Sequence, residues 1–128
     1  MDIFVHISSS SNRMKVFISI PMRNKTEQQI EHDMIEAQYN IKNLISKKYP
    51  NEEIIFIDSF LAGAESLSPL FCLGYSLQSL SKADIAYFCA GWESSRGCVT
   101  EHHCAVTYGI NCLYENNLEQ LLDKNDKI

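Results

Sequence analysis

The chain has 128 residues, 45% of them hydrophobic and 21% charged, the composition of one soluble globular domain long enough to bury a single sizeable core. A net charge of −5 and a pI near 5.3 offer no broad basic face, which argues against a DNA or RNA partner but not against a small phosphorylated ligand held by one or two cations. No apolar run approaches the ~18 residues that span a bilayer.

Residues 1–7 are too short and wrongly charged for a signal peptide. The 5 cysteines, Cys72, Cys89, Cys98, Cys104 and Cys112, are an odd set without a disulfide framework and read as free thiols in a reducing cytoplasm. Residues 1–13 are expected to be an extension, with an edge strand over residues 3–7 as the alternative, because Met14 opens the first core strand.

Residues 14–20 (Met-Lys-Val-Phe-Ile-Ser-Ile) form a β-rich run that stops at Pro21, which cannot donate to a ladder. Thr26 and Gln29 spell a capping box. Behind them Ile30, Met34, Ala37, Ile41, Leu44 and Ile45 recur at helical spacing as far as Pro50. Residues 53–57 are a second apolar run, bounded by Asp58 and Ser59. Ser68 reads as an N-cap with Pro69 at the first helical position, followed by a stripe of Leu70, Leu73, Leu77 and Leu80.

Residues 83–90 barely alternate, which predicts a strand buried on both faces. Residues 91–97 form a polar loop. A helix follows to about Tyr108, with Gly109 as its C-terminal cap. Residues 110–114 make a last strand, and a short polar helix around residues 118–122 closes the chain.

Strands alternating with helices predict an α/β fold, a three-layer Rossmann/flavodoxin-like sandwich with a mainly parallel sheet of about four to five strands. One domain spans residues 14–128. Sheets of this kind bind ligands beyond the carboxyl ends of their strands, which here are residues 20–24, 58–62 and 90–96.

Those ends also carry a resemblance. The stretch Phe17-Ile-Ser-Ile-Pro-Met-Arg-Asn-Lys-Thr26 is joined by Ile57-Asp-Ser59 and Leu73-Gly-Tyr-Ser-Leu77. The strongest part runs from Ala83-Asp84 through Gly91-Trp-Glu-Ser-Ser-Arg-Gly97 to Glu101. Together they resemble a family of small proteins common in bacteriophage and bacterial genomes, which looks like a branch of the nucleoside 2-deoxyribosyltransferase superfamily.

The resemblance covers residues 14–114 and implies action on the N-glycosidic bond of a 2′-deoxynucleoside or its 5′-monophosphate, with no cofactor. It gives Glu101 the place of the catalytic carboxylate. Such a group stabilises an oxocarbenium-like transition state or forms a glycosyl ester, and a place in the first turn of a helix would favour its ionised form. A glutamate at a helix start also commonly faces solvent.

Ser94, Ser95, Arg96 and Gly97 offer hydroxyls, a guanidinium and backbone amides for a 5′-hydroxyl or 5′-phosphate, although a polar loop capping a helix needs the same residues. By resemblance Ile20, Pro21, Met22 and Arg23 hold the base, and Asp58 orients a group by a hydrogen bond. Trp92, the single tryptophan, either covers the base or plugs the gap against the next helix. Two positions depart from the superfamily: Ser76 stands where the transferases carry an aspartate that protonates the base, and Ile20 replaces a glycine. Serine is a poor acid at neutral pH, so base departure loses much of its general acid.

Cys98, His102, His103 and Cys104 form one cluster on one helix, where a structural zinc site wants two separated pairs; no metal is expected. His102 or His103 remains an acid or base candidate beside Glu101. A non-catalytic protein that sequesters a signalling nucleotide is the alternative to an enzyme, and an interaction protein without a ligand is a third. Relatives by resemblance assemble, so a homo-oligomer in the cytoplasm is expected.

Overall fold

The structure is a computed structural model that describes residues 13–59, 61 and 63–118. Of the expected extension over residues 1–13, residues 1–12 lie outside them and Arg13 opens the first strand; of the expected last helix over residues 118–122, residues 119–122 lie outside them. Among the described residues four strands alternate with three helices: β1 (Arg13–Ser19), α1 (Glu27–Lys48), β2 (Glu53–Phe56), α2 (Pro69–Leu80), β3 (Ile85–Phe88), α3 (Arg96–Thr107) and β4 (Asn111–Tyr114). All the pairings are parallel and the strand order is β2-β1-β3-β4. This is the doubly wound arrangement of a flavodoxin-like sandwich, whose direction of winding reverses between β1 and β3.

The period-2 alternation of β1 sorts its side chains between two layers. Val16 and Ile18, with Ile20 just beyond the strand, meet Ala37, Ile41 and Ile45 of α1 on one face. Phe17 turns to the other face, where Leu80, Ala86, Phe88 and Ala105 form the second core under α2 and α3. β3 sits between β1 and β4 and is buried along its whole length, which is why residues 85–88 lack alternation.

Local chemistry sets most element ends. The Gln29 amide donates to Thr26 Oγ1 at 3.1 Å while the Thr26 amide donates to Gln29 Oε1 at 2.8 Å, closing the capping box of α1. Ser68 caps α2 through the Phe71 amide, with Pro69 as its first residue. Gly109 takes a φ of 79° just past α3, the left-handed turn that glycine adopts without a Cβ penalty.

Two expectations are corrected. α3 starts at Arg96, inside the expected loop, because the Ser95 hydroxyl accepts from the Cys98 amide and draws Gly97 into the first turn. A 3-10 turn, Trp92–Ser94, occupies part of what remains. The leucine stripe of α2 is also incomplete. Leu80 at its C-terminal end is buried, but Leu70 in its first turn is 76% exposed.

Candidate functional site

A cleft of about 660 Å³ opens where β1 and β3 end, within the ~300–1,000 Å³ typical of small-molecule sites. Its floor is the end of β1, with Phe17, Ser19 and Ile20. One wall is α2, with Cys72, Leu73 and Ser76. The other is the start of α3, from Ser94 and Ser95 to Glu101. Met22 and Arg23, on the turn after β1, complete the rim. That turn is closed by the Lys25 amide donating to the Met22 carbonyl, with Asn24 at a φ of 64°. Asparagine tolerates this left-handed conformation better than most residues.

Glu101 is 8% exposed, so it is not the solvent-facing glutamate common at helix starts. Because α3 begins at Arg96, Glu101 lies in the second helical turn, and the field of the helix N-terminus, which fades beyond the first turn, does little for it. Burial dominates instead and pushes its carboxyl above the ordinary carboxylate range, while hydrogen bonds from Ser19 and Ser76 oppose that rise. The Ser19 hydroxyl donates to Oε1 at 2.6 Å. Ser76 thus lies beside Glu101 as a hydroxyl donor to its carboxyl group.

Charge is unevenly placed around this carboxyl. Among the described residues that line the cleft, Glu101 is the one carboxylate, and there is no histidine; Arg23 and Arg96 are the two cations. Neither arginine has an ion-pair partner among the described residues. The amides of Arg96 and Gly97, in the first turn of α3, have no acceptor within the helix. With the exposed Ser94 they make the α3 end of the cleft receptive to an anion. The Ser95 hydroxyl accepts from the Cys98 amide at 3.4 Å in its capping bond and keeps its own proton to donate.

The glycine at the head of this loop has a backbone reason. Gly91 sits at a φ of 90°, and a Cβ placed there would lie 3.8 Å from Pro21 Cγ. The loops after β1 and β3 thus meet above the sheet. Pro21 helps shape the rim without lining the cleft.

Asp58 is exposed and outside the lining residues, where its neighbour Ser59 takes part. Trp92 also lies outside. Its ring lies tilted by 37° to that of His102 with centroids 4.2 Å apart and packs against Phe88 and Tyr114, the packing expected of a plug against the next helix. His102 belongs to that cluster too. Its Nε2 shares a 2.6 Å hydrogen bond with the Tyr114 hydroxyl, and burial lowers its pKa, so it faces away from Glu101.

A smaller hollow of about 180 Å³ beside Trp92, Tyr114 and Glu115 is walled by rings that pack on one another, and the cleft is the better site. No group of three or more metal-ligating side chains occurs among the described residues. All 5 cysteines are free, and Cys89 lies in the α1-side core with its thiol pushed up to about 12 by burial.

Ser19, Ser59 and Cys72 line the cleft without having been marked as site residues in the sequence, and Cys98, weighed there only as part of a metal cluster, lines it too. For Ser19 a signal was present: it is the single polar residue in the run Val16 to Ile20, and a polar group inside a buried strand needs a partner.

The fold and the cleft define an α/β protein whose strands end on one buried glutamate flanked by cationic loops. The chain matches no family model, no curated protein and no solved structure. No helix among the described residues is long and apolar enough to cross a membrane.

Proposed function

We propose that the cleft binds a 2′-deoxynucleoside or its 5′-monophosphate and that the chain cleaves or transfers the N-glycosidic bond. The observation that carries this reading is the burial of one carboxyl group, Glu101, on the α3 wall of an open cleft with arginines at its rim. The sequence resemblance to nucleoside 2-deoxyribosyltransferases supports it.

In this reading the 5′ end lies at Ser94, Arg96 and the first amides of α3, and the base lies toward Ile20, Met22 and Arg23. Glu101 then sits beneath C1′. As the C1′–N bond breaks, its electron pair leaves with the base, and the ionised Glu101 oxygen either forms the C1′–O ester or stabilises the cation. Water or a second base takes C1′ in the next step and frees the carboxylate. The departing base draws its proton from solvent, because among the described residues no second carboxylate or imidazole lines the cleft.

Deoxynucleosides and their 5′-monophosphates incubated with the protein, with Glu101→Ala in parallel, test this by chromatography. Free base from the wild type alone is the expected result, and equal release from both proteins would overturn it.

The missing proton donor favours a second reading, in which the same cleft holds a signalling nucleotide without altering it. Tight binding with intact ligand after long incubation would select that reading. The protein is proposed to work in the cytoplasm as a homo-oligomer.

A further inference from the structure

Ser19 is 1% exposed, and a hydroxyl in such a place must spend its proton well. β1 turns Ser19 away from α1, toward the layer of α2 and α3. There its proton goes to Glu101 Oε1 at 2.6 Å, in the short range of charge-assisted O–H···O⁻ bonds.

Cys98 precedes Glu101 by three positions on the same face of α3, is buried and lines the same cleft. A serine hydroxyl has one proton to give, and that of Ser19 goes to Glu101.

We propose that Ser19 is the positioning residue of Glu101, its hydroxyl bond to Oε1 fixing the carboxyl rotamer and holding the group ready to ionise. The proposal rests on Glu101 being the reacting group of the cleft. One carboxylate oxygen is tied to β1 by this bond, and Ser76 on α2 supplies a further hydroxyl to the same group. The carboxyl is thereby gripped from two elements besides its own. The other ionisable groups lining the cleft are Cys72 on α2, Cys98 and Arg96 on α3, and Arg23 after β1. The Ser19 bond is thus the contact through which β1 acts on Glu101.

The test is a carbon-13 NMR titration of the Glu101 carboxyl in the intact chain, for wild type, Ser19→Ala and Ser19→Cys. Each replacement is close in size to the residue it removes, so folded protein is expected, and the dispersed spectrum checks it in the same experiment. Losing the Ser19 donor should move half-ionisation of Glu101 to higher pH. Ser19→Cys, a weaker donor, should fall between wild type and Ser19→Ala.

In turnover of a deoxynucleoside 5′-monophosphate, Ser19→Ala should lower kcat at neutral pH by about tenfold, with its acid limb moved upward and KM little changed. An unchanged Glu101 titration in Ser19→Ala overturns the proposal, whatever the activity. A shifted titration in a wild-type protein that releases no base supports the positioning role and overturns only the glycosidic reading.

Discussion

A carboxyl group taken out of water holds its proton to higher pH, and Glu101 is in that position. The consequence for stability has a definite sign. At acid pH Glu101 is protonated in both the folded and the unfolded chain, and burial exacts no penalty. As pH rises past the ordinary carboxylate range, the unfolded chain loses the proton first. Folded stability then falls until the raised folded-state value is passed, and the loss is complete above it. Glu101→Gln removes the ionisation and keeps an oxygen for Ser19. Its Tm should exceed that of wild type at neutral pH and converge with it in acid, while any base release falls by about a thousandfold or more. Parallel Tm-against-pH curves for the two proteins would show that burial does not penalise the charge. The sequence pointed to Glu101, but not to the influence that dominates its carboxyl group. A helix-start dipole was the expected influence, and only the packing of β1, α2 and α3 around the carboxyl reveals that desolvation outweighs it.

At the scale of the element, the first turn of α3 joins two jobs that substitution can separate. Ser95 ends the loop and starts the helix through its bond to the Cys98 amide, so Ser95→Ala should cost about 1 kcal/mol of stability in chemical denaturation. Arg96 is exposed on the cleft rim, so Arg96→Ala should change stability by less than about 0.5 kcal/mol. It should instead weaken binding of a 5′-monophosphate by roughly tenfold or more, and that of the matching nucleoside hardly at all. Equal losses for nucleoside and nucleotide, read by calorimetry, would remove Arg96 from the phosphate site. Helix periodicity made α1 and α2 legible because their apolar positions recur over several turns. The start of α3 was harder, since Ser94, Ser95 and Gly97 all suit a loop and only the captured amide picks Ser95. Leu70 misled for a related reason: periodicity reports which side of a helix is apolar, not whether every turn of that side is covered.

The molecule as a whole is polarised along its strands. The alternation of strands and helices was enough to order the elements, and the winding rule then put the ligand at the carboxyl ends, where the cleft lies. The opposite ends carry a different kind of polar residue. Asp84, in the Ala-Asp pair that contributes to the sequence resemblance, stands at the start of β3 and accepts the Lys15 amide at 2.9 Å through Oδ2. The Asp84 amide in turn donates to the Lys15 carbonyl at 2.8 Å. This exchange continues the β1–β3 pairing beyond its last ladder partners, Val16 and Ile85, and pins the register of the two strands whose far ends build the cleft. Asp84→Ala leaves the Lys15 amide without its carboxylate, but the site is exposed and water can replace the lost partner. The cost should be about 1 kcal/mol. Because the ladder above it holds the cleft in place, affinity for nucleotide in the folded protein should be unchanged. Denaturation and binding measured on the same variant separate these effects. A fall in affinity with stability intact would mean that Asp84 acts on the ligand end through the length of β3, and that the two ends of the sheet are not independent.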